Sequence, residues 1–166
     1  MEPQRTPRRQ VRLEDVMRPA VSVTPETSAR AVLEILTQNR IPGVPVVDAE
    51  GYLVGFVSDG HLLAAALPKY MATMEDLSFI SEGTDSWVRY LAESADRPVG
   101  GMMSTDVSRV EKGRSEVAVA HKMVHDGASS VMITEKGKLV GIVSRLDLYA
   151  AVIAADADQD ASDLLD

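Results

Sequence analysis

Cysteine is absent from the 166 residues, which excludes disulfides, thiolate nucleophiles and zinc ribbons. Aromatic residues make up only 4%, too few to build base-stacking platforms. Basic charge is scarce as well: Lys plus Arg is 17 against 25 for Asp plus Glu, a net charge of −8. Without a basic face to neutralise phosphates, no nucleic-acid partner is expected. Apolar runs are short, and none approaches the roughly 18 residues a membrane helix needs. The opening stretch, Met1-Glu2-Pro3-Gln4-Arg5-Thr6-Pro7-Arg8-Arg9, has no apolar core after its charges. No secretory signal and no membrane partner are expected, and the location read from the sequence is cytoplasmic. A phosphate-cradling loop is also missing, because Gly100-Gly101 lacks the lysine and the spacing of a P-loop.

What is present is an ordinary globular composition, 45% hydrophobic and 25% charged. The core must come from Val, Ala, Leu and Met. The length supports one domain or two small ones. The ends differ in charge, with Arg5, Arg8, Arg9 and Arg12 at the start and Asp156, Asp158, Asp160, Asp163 and Asp166 at the close. They read as frayed, solvated tails, or as opposite charges that attract within a dimer.

The chain is organised by an internal repeat. Gly51-Tyr52-Leu53-Val54-Gly55-Phe56-Val57-Ser58 matches Gly137-Lys138-Leu139-Val140-Gly141-Ile142-Val143-Ser144 at six of eight positions, 86 residues apart. Upstream, Val46-Val47-Asp48 corresponds to Ile133-Thr134-Glu135, and Asp15-Val16-Met17 to Gly101-Met102-Met103. In the first copy, Ala20 to Val23 predicts a strand, and Thr24-Pro25-Glu26-Thr27-Ser28 supplies turn and cap chemistry. A helix follows through Val32, Leu33 and Leu36, broken at Ile41-Pro42-Gly43. Val44 to Val47 and Leu53 to Val57 predict a hairpin, and a helix starts at Asp59. The second copy repeats the order: strand Val107 to Val110, helix from Ser115 to Asp126-Gly127, hairpin Val131 to Thr134 with Leu139 to Val143, and a last helix from Arg145 through Ile153.

The fold class is therefore α/β in the α+β sense, built of tandem β-α-β-β-α repeats. Neither repeat is large enough to fold alone. The expected divisions are a basic tail over 1–12, a first motif over 13–66, a linker over 67–98, a second motif over 99–153 and an acidic tail over 154–166. The linker predicts one short helix around Tyr70, Met71, Met74 and Leu77, and another through Trp87, Val88, Tyr90 and Leu91 capped by Asp85 or Ser86.

This tandem pattern resembles a cystathionine β-synthase-type (CBS) domain pair, or Bateman module. The resemblance rests on Asp15-Val16-Met17, the run Ile41-Pro42-Gly43-Val44-Pro45-Val46-Val47-Asp48, Gly55-Phe56-Val57-Ser58, and Gly141-Ile142-Val143-Ser144-Arg145-Leu146-Asp147-Leu148. It implies a stand-alone regulatory module without chemistry of its own. It also implies pseudo-twofold packing of the motifs, two clefts between them, and a homodimer. The implied ligands are AMP, ADP, ATP or S-adenosylmethionine, and the regulated protein is unnamed by the sequence.

The family's ribose motif, Gly-apolar-apolar-Ser/Thr-x-x-Asp, is complete only at Gly141, Ser144 and Asp147. A carboxylate can accept both ribose hydroxyls, and a serine at a helix start can donate to phosphate, where free N–H groups favour an anion. Arg145 and Arg18 are the cations expected nearby. Ser144 and Asp147 also suit a plain helix cap. The resemblance places the adenine wall at Pro19, Ala20, Val21 and Ser22 with Ile41, Pro42, Gly43 and Val44. Ile41 and Val44 serve equally as core.

In the first copy Ser58 is kept, but His61 replaces the aspartate. A weaker or empty second cleft is therefore expected at Ser58 and His61, with Thr105, Asp106, Val107 and Ser108 opposite Ala128, Ser129 and Ser130. His121 and His125 share a helix face, but no Glu follows His121, so no metal site is expected. Met71, Met74, Met102, Met103 and Met123 read as core or interface filler. No catalytic residue is assigned. The rival reading is a structural dimerisation or protein-interaction module with vestigial clefts.

Overall fold

The computed structural model describes residues 11–72, 74–75 and 85–163. In chain order the elements are α1 (Leu13–Val16), α2 (Ala29–Asn39), β1 (Gly43–Val47), β2 (Leu53–Ser58), α3 (Asp59–Ala66), α4 (Lys69–Ala72) and α5 (Asp85–Ala95). After a 3₁₀ turn at Val99–Gly101 come β3 (Arg109–Glu111), α6 (Glu116–Asp126), β4 (Ser130–Glu135), β5 (Lys138–Ser144) and α7 (Arg145–Asp163). The fold is mixed α+β with a repeated strand–helix unit, as the sequence predicts. Arg5, Arg8, Arg9, Leu77 and Asp166, and the side chains of Tyr70, Asp85, Ser86, Trp87, Asp158, Asp160 and Asp163, lie outside the described residues.

The chain forms two compact units that cut across the sequence repeats: residues 21–107 make one, and residues 1–20 with 108–166 make the other. Each repeat's opening segment thus packs in the core built by the other repeat. Leu13 and Val16 of α1 are buried with Val119, Met123, Val131, Ile133, Val143 and Leu148. Their counterpart Val99 is buried with Val23, Val32, Leu36, Val44, Val46 and Val57, and Met102 packs on that cluster. The same backbone ladder docks both segments. Arg18 exchanges two 2.9 Å hydrogen bonds with Ile142, and Ser104 does so with Phe56.

Local chemistry sets the elements. Ser28 and Ser115 cap α2 and α6, their hydroxyls accepting the N–H of Ala31 at 3.2 Å and of Ala118 at 3.3 Å. Both helices end on a left-handed residue, Arg40 (φ 52) and Gly127 (φ 64). The hairpins are antiparallel, and each carries a register shift at the same place, after Val46 and after Ile133. The first closes over the Asp48 carboxylate, which accepts the N–H of Glu50 and of Tyr52. The second turns tightly through Lys136 (φ 52) and Gly137 (φ 82).

Two expectations are corrected. The strand predicted over Ala20 to Val23 is a single ladder pair, Val23 with Val46, whereas its counterpart β3 pairs three residues with β4. Met132 N–H donates to Ser108 O at 2.9 Å. The equivalent residue is Pro45, which has no N–H to give, so that rung is lost. The final helix does not stop near Ile153 in a frayed tail but runs to Asp163. No Gly or Pro interrupts it, and Ala154, Ala155, Ala157 and Ala161 are strong helix formers.

Candidate functional site

The unit of residues 1–20 and 108–166 carries the Ser144–Asp147 turn. Strand β5 ends at Ser144, and α7 begins at the next residue. The Arg145 N–H donates to the Ser129 carbonyl at 3.0 Å, fixing the strand-to-helix step. Asp147 N–H donates to Ser144 Oγ at 3.1 Å, and that hydroxyl donates to Asp147 Oδ2 at 2.7 Å. The other carboxylate oxygen, Oδ1, accepts from Arg18 Nη2. Asp147 is 19% exposed at its side chain and Arg18 70%. A half-sunken carboxylate at a helix start therefore sits beside an exposed cation, a set suited to hydroxyls and an anion together. Arg145 projects into solvent and has no ion-pair partner among the described residues.

Gly141 is required by the docked segment. A β-carbon there would press on Met17 and come within 2.9 Å of Arg18 O. Gly55 plays the same part under Met103 and Ser104 O. Beyond Arg18 the chain runs through Pro19, Ala20, Val21 and Ser22, exposed or half-exposed, with no backbone hydrogen bond among the described residues until Val23. That is a run of free donors and acceptors of the kind that can read a base edge. Thr105 to Val107 differs: the Ser104 hydroxyl accepts Asp106 N–H and donates to Asp106 O, both at 3.2 Å.

The unit of residues 21–107 holds the other predicted positions. Val44 is wholly buried in its core and Ile41 packs partly on that core, so the core reading applies to the Val44 side chain. The Phe56 ring covers Gly43, whose added β-carbon would fall 2.5 Å from it. In the other copy the pair is Ser130 and Ile142. Pro42 O accepts the Asp59 N–H at 3.0 Å, repeating the Ser129–Arg145 bond.

Ser58 and His61 form a full capping box. Ser58 Oγ accepts His61 N–H, and His61 Nδ1 accepts Ser58 N–H, each at 3.2 Å. Ser58 and His61 are occupied as a cap and supply no carboxylate. An apolar groove of about 290 Å³ lies between α2, α3 and α5, lined by Leu33, Leu62, Leu63 and Leu91. Its polar lining is Arg30, bonded to Asp96 at 3.1 Å, Asp59, whose carboxylate accepts the Gly60 N–H at 2.7 Å, and Ser94, whose hydroxyl donates to Leu91 O at 2.8 Å.

On the unit of residues 1–20 and 108–166, Ser108 Oγ donates to Asp126 Oδ2 at 2.7 Å. With Lys122 at 3.0 Å, this holds the Asp126 carboxyl below its ordinary value. Ala128 and Ser130 are half-buried and Ser129 exposed. His121 and His125 stack with centroids 6.0 Å apart. No group of three or more metal-ligating side chains occurs among the described residues.

Sequence reasoning expected Arg18 near the site, but not bonded to the aspartate itself. The repeat held the signal. Arg18 aligns with Ser104 and Asp147 with His61, so both members of the charge pair are replaced together in the other copy.

These features make a two-motif module in which one strand-to-helix turn carries Asp147 and the other His61. The CBS domain family model matches residues 13–68 and 99–154, and the chain belongs to that family. It is 30% identical over 138 residues to the chloroplastic CBS domain-containing protein CBSX1 of Arabidopsis thaliana, covering 79% of this chain and 58% of that relative's length. Among solved structures it is similar to CBSX2 in complex with AMP, with TM-score 0.65, 24% identity and coverage of 86% and 96%. A CBS domain-containing protein of Kribbella flavida gives TM-score 0.69 at 19% identity, covering 84% and 97%. Among the described residues no helix is long and apolar enough to cross a membrane.

Proposed function

We propose that the chain is a regulatory module, without catalysis, that senses an adenine nucleotide (AMP, ADP or ATP) or a related adenosyl compound such as S-adenosylmethionine. The observation that carries the reading is the Ser144–Asp147 turn with Arg18 on its carboxylate. Asp147 accepts ribose hydroxyls, and the start of α7 with Ser144 and Arg18 meets the phosphate. Pro19 and Ala20, in the same unit as Asp147, supply backbone to the adenine. AMP in the complex of the similar CBSX2 supports the ligand class. Ligand binding biases the conformation of a regulated partner by its differential affinity for two states. The test is a thermal-shift screen of AMP, ADP, ATP, S-adenosylmethionine, NAD and guanine nucleotides. An adenine compound is expected to stabilise the wild type and not Asp147→Ala. No shift with any compound contradicts the reading.

A second reading, an interaction module working through a homodimer, is favoured by one observation. Val117, Val124, Leu146, Tyr149 and Ile153 of α6 and α7 are all exposed. At the matching first-copy positions stand Arg30, Thr37, Gly60, Leu63 and Leu67. Light scattering distinguishes the outcomes: a monomer at micromolar concentration contradicts the dimer.

A further inference from the structure

Both oxygens of the Asp147 carboxylate are engaged within its own unit. Oδ2 takes the Ser144 hydroxyl, which is itself fixed by the Asp147 N–H. That arrangement is local, three residues apart, and survives any ligand that uses the remaining lone pairs. The Oδ1 partner is different in kind. Arg18 reaches it from a segment 129 residues away in sequence, on a side chain that is 70% exposed. Its backbone is pinned by the pair of bonds to Ile142, and its neighbour Met17 lies on Gly141. The root of the side chain is held on β5 and its tip stands in solvent.

The geometry points to Arg18 as a specificity-determining residue that makes this site demand a phosphorylated nucleoside. The inference rests on the reading of Asp147 as the ribose-binding group and adds what Arg18 does there. A ribose that approaches Oδ1 meets the guanidinium first and must displace it. Adenosine offers nothing in exchange, so the bond to Asp147 is lost without return. A nucleotide offers its phosphate, which a guanidinium binds as readily as a carboxylate and by the same paired N–H geometry. Arg18 then exchanges one anion for another, close to the helix start that also favours an anion. The internal repeat supports the coupling. Where Asp147 is replaced by His61, Arg18 is replaced by Ser104, and neither charge is kept alone.

The test is calorimetric titration of the full chain with adenosine and with AMP, in wild type, Arg18→Gln and Arg18→Lys. Wild type is expected to prefer AMP over adenosine by about tenfold or more, the scale of one charge-assisted hydrogen bond. Arg18→Gln is expected to move the two ligands in opposite directions, tightening adenosine and weakening AMP, so that the preference collapses. Arg18→Lys keeps the charge and is expected to retain part of the preference. A purely structural role would weaken both ligands together. Parallel weakening, or an unchanged ratio in Arg18→Gln, overturns this inference and leaves the proposed function standing. Failure of wild type to bind either compound, or any other adenosyl compound, overturns both.

Discussion

The Met17 side chain lies on the α-carbon of Gly141, and Met103 holds the same relation to Gly55. These two contacts seat each repeat's opening segment on a hairpin of the other repeat. They also explain why both hairpins carry glycine at that position: the methionine side chain, with the next residue's carbonyl oxygen beside it, leaves no room for a methyl group.

Gly141→Ala and Gly55→Ala are therefore each expected to destabilise the protein by about 1–3 kcal/mol, the usual cost of overpacking. Gly141→Ala is also expected to weaken nucleotide binding, because it displaces the strand that roots Arg18. Urea denaturation checks the stabilities. A loss below about 0.5 kcal/mol in both variants would show that the segments dock loosely.

The helix ends give a matched pair. Arg40 adopts a left-handed conformation (φ 52) that costs a residue with a β-carbon, while Gly127 meets it freely (φ 64). Arg40→Gly is expected to stabilise by roughly 0.5–1 kcal/mol, and Gly127→Ala to destabilise by about 1 kcal/mol, with no steric clash to confuse the comparison. Equal signs for the two variants in thermal melts would contradict the assignment of these caps.

Asp126 gives a pH-dependent prediction. The hydrogen bond from Ser108, and then Lys122, lowers its folded pKa below the ordinary 3.8. A carboxyl with a depressed folded pKa contributes stability that is present above the unfolded value and lost as pH falls through the folded one. Melting temperatures of wild type and Asp126→Asn are thus expected to differ at pH 7 and to converge as pH falls below about 4. A difference that does not change from pH 7 to pH 2.5 contradicts the coupling.

Much of the fold was legible in the residues. The Thr24 to Ser28 turn and Ser115 announced their helices, the paired runs Val44 to Val47 with Leu53 to Val57 and Val131 to Thr134 with Leu139 to Val143 the hairpins, and the 86-residue repeat the duplicated unit. The exchange of opening segments was not legible. A repeat says that Val16 and Met102 are equivalent, but not which core either one enters. The lost first strand was readable in retrospect from Pro45 opposite Met132. The length of α7 was obscured because its acidic residues were weighed as a tail rather than against the alanines between them. At the site, the motif Gly141–Ser144–Asp147 was readable through its resemblance to a family. The bond from Arg18 to Asp147 depends on tertiary docking across 129 positions, which no local pattern reports.

The central claim is that Asp147 holds an adenine nucleotide. Its most direct test is calorimetric titration of AMP into the full chain and into Asp147→Asn, which keeps the side-chain volume and the cap while removing the charge. The account predicts saturable binding to wild type and a loss of about tenfold or more in the variant. Equal affinity in the two proteins would contradict it.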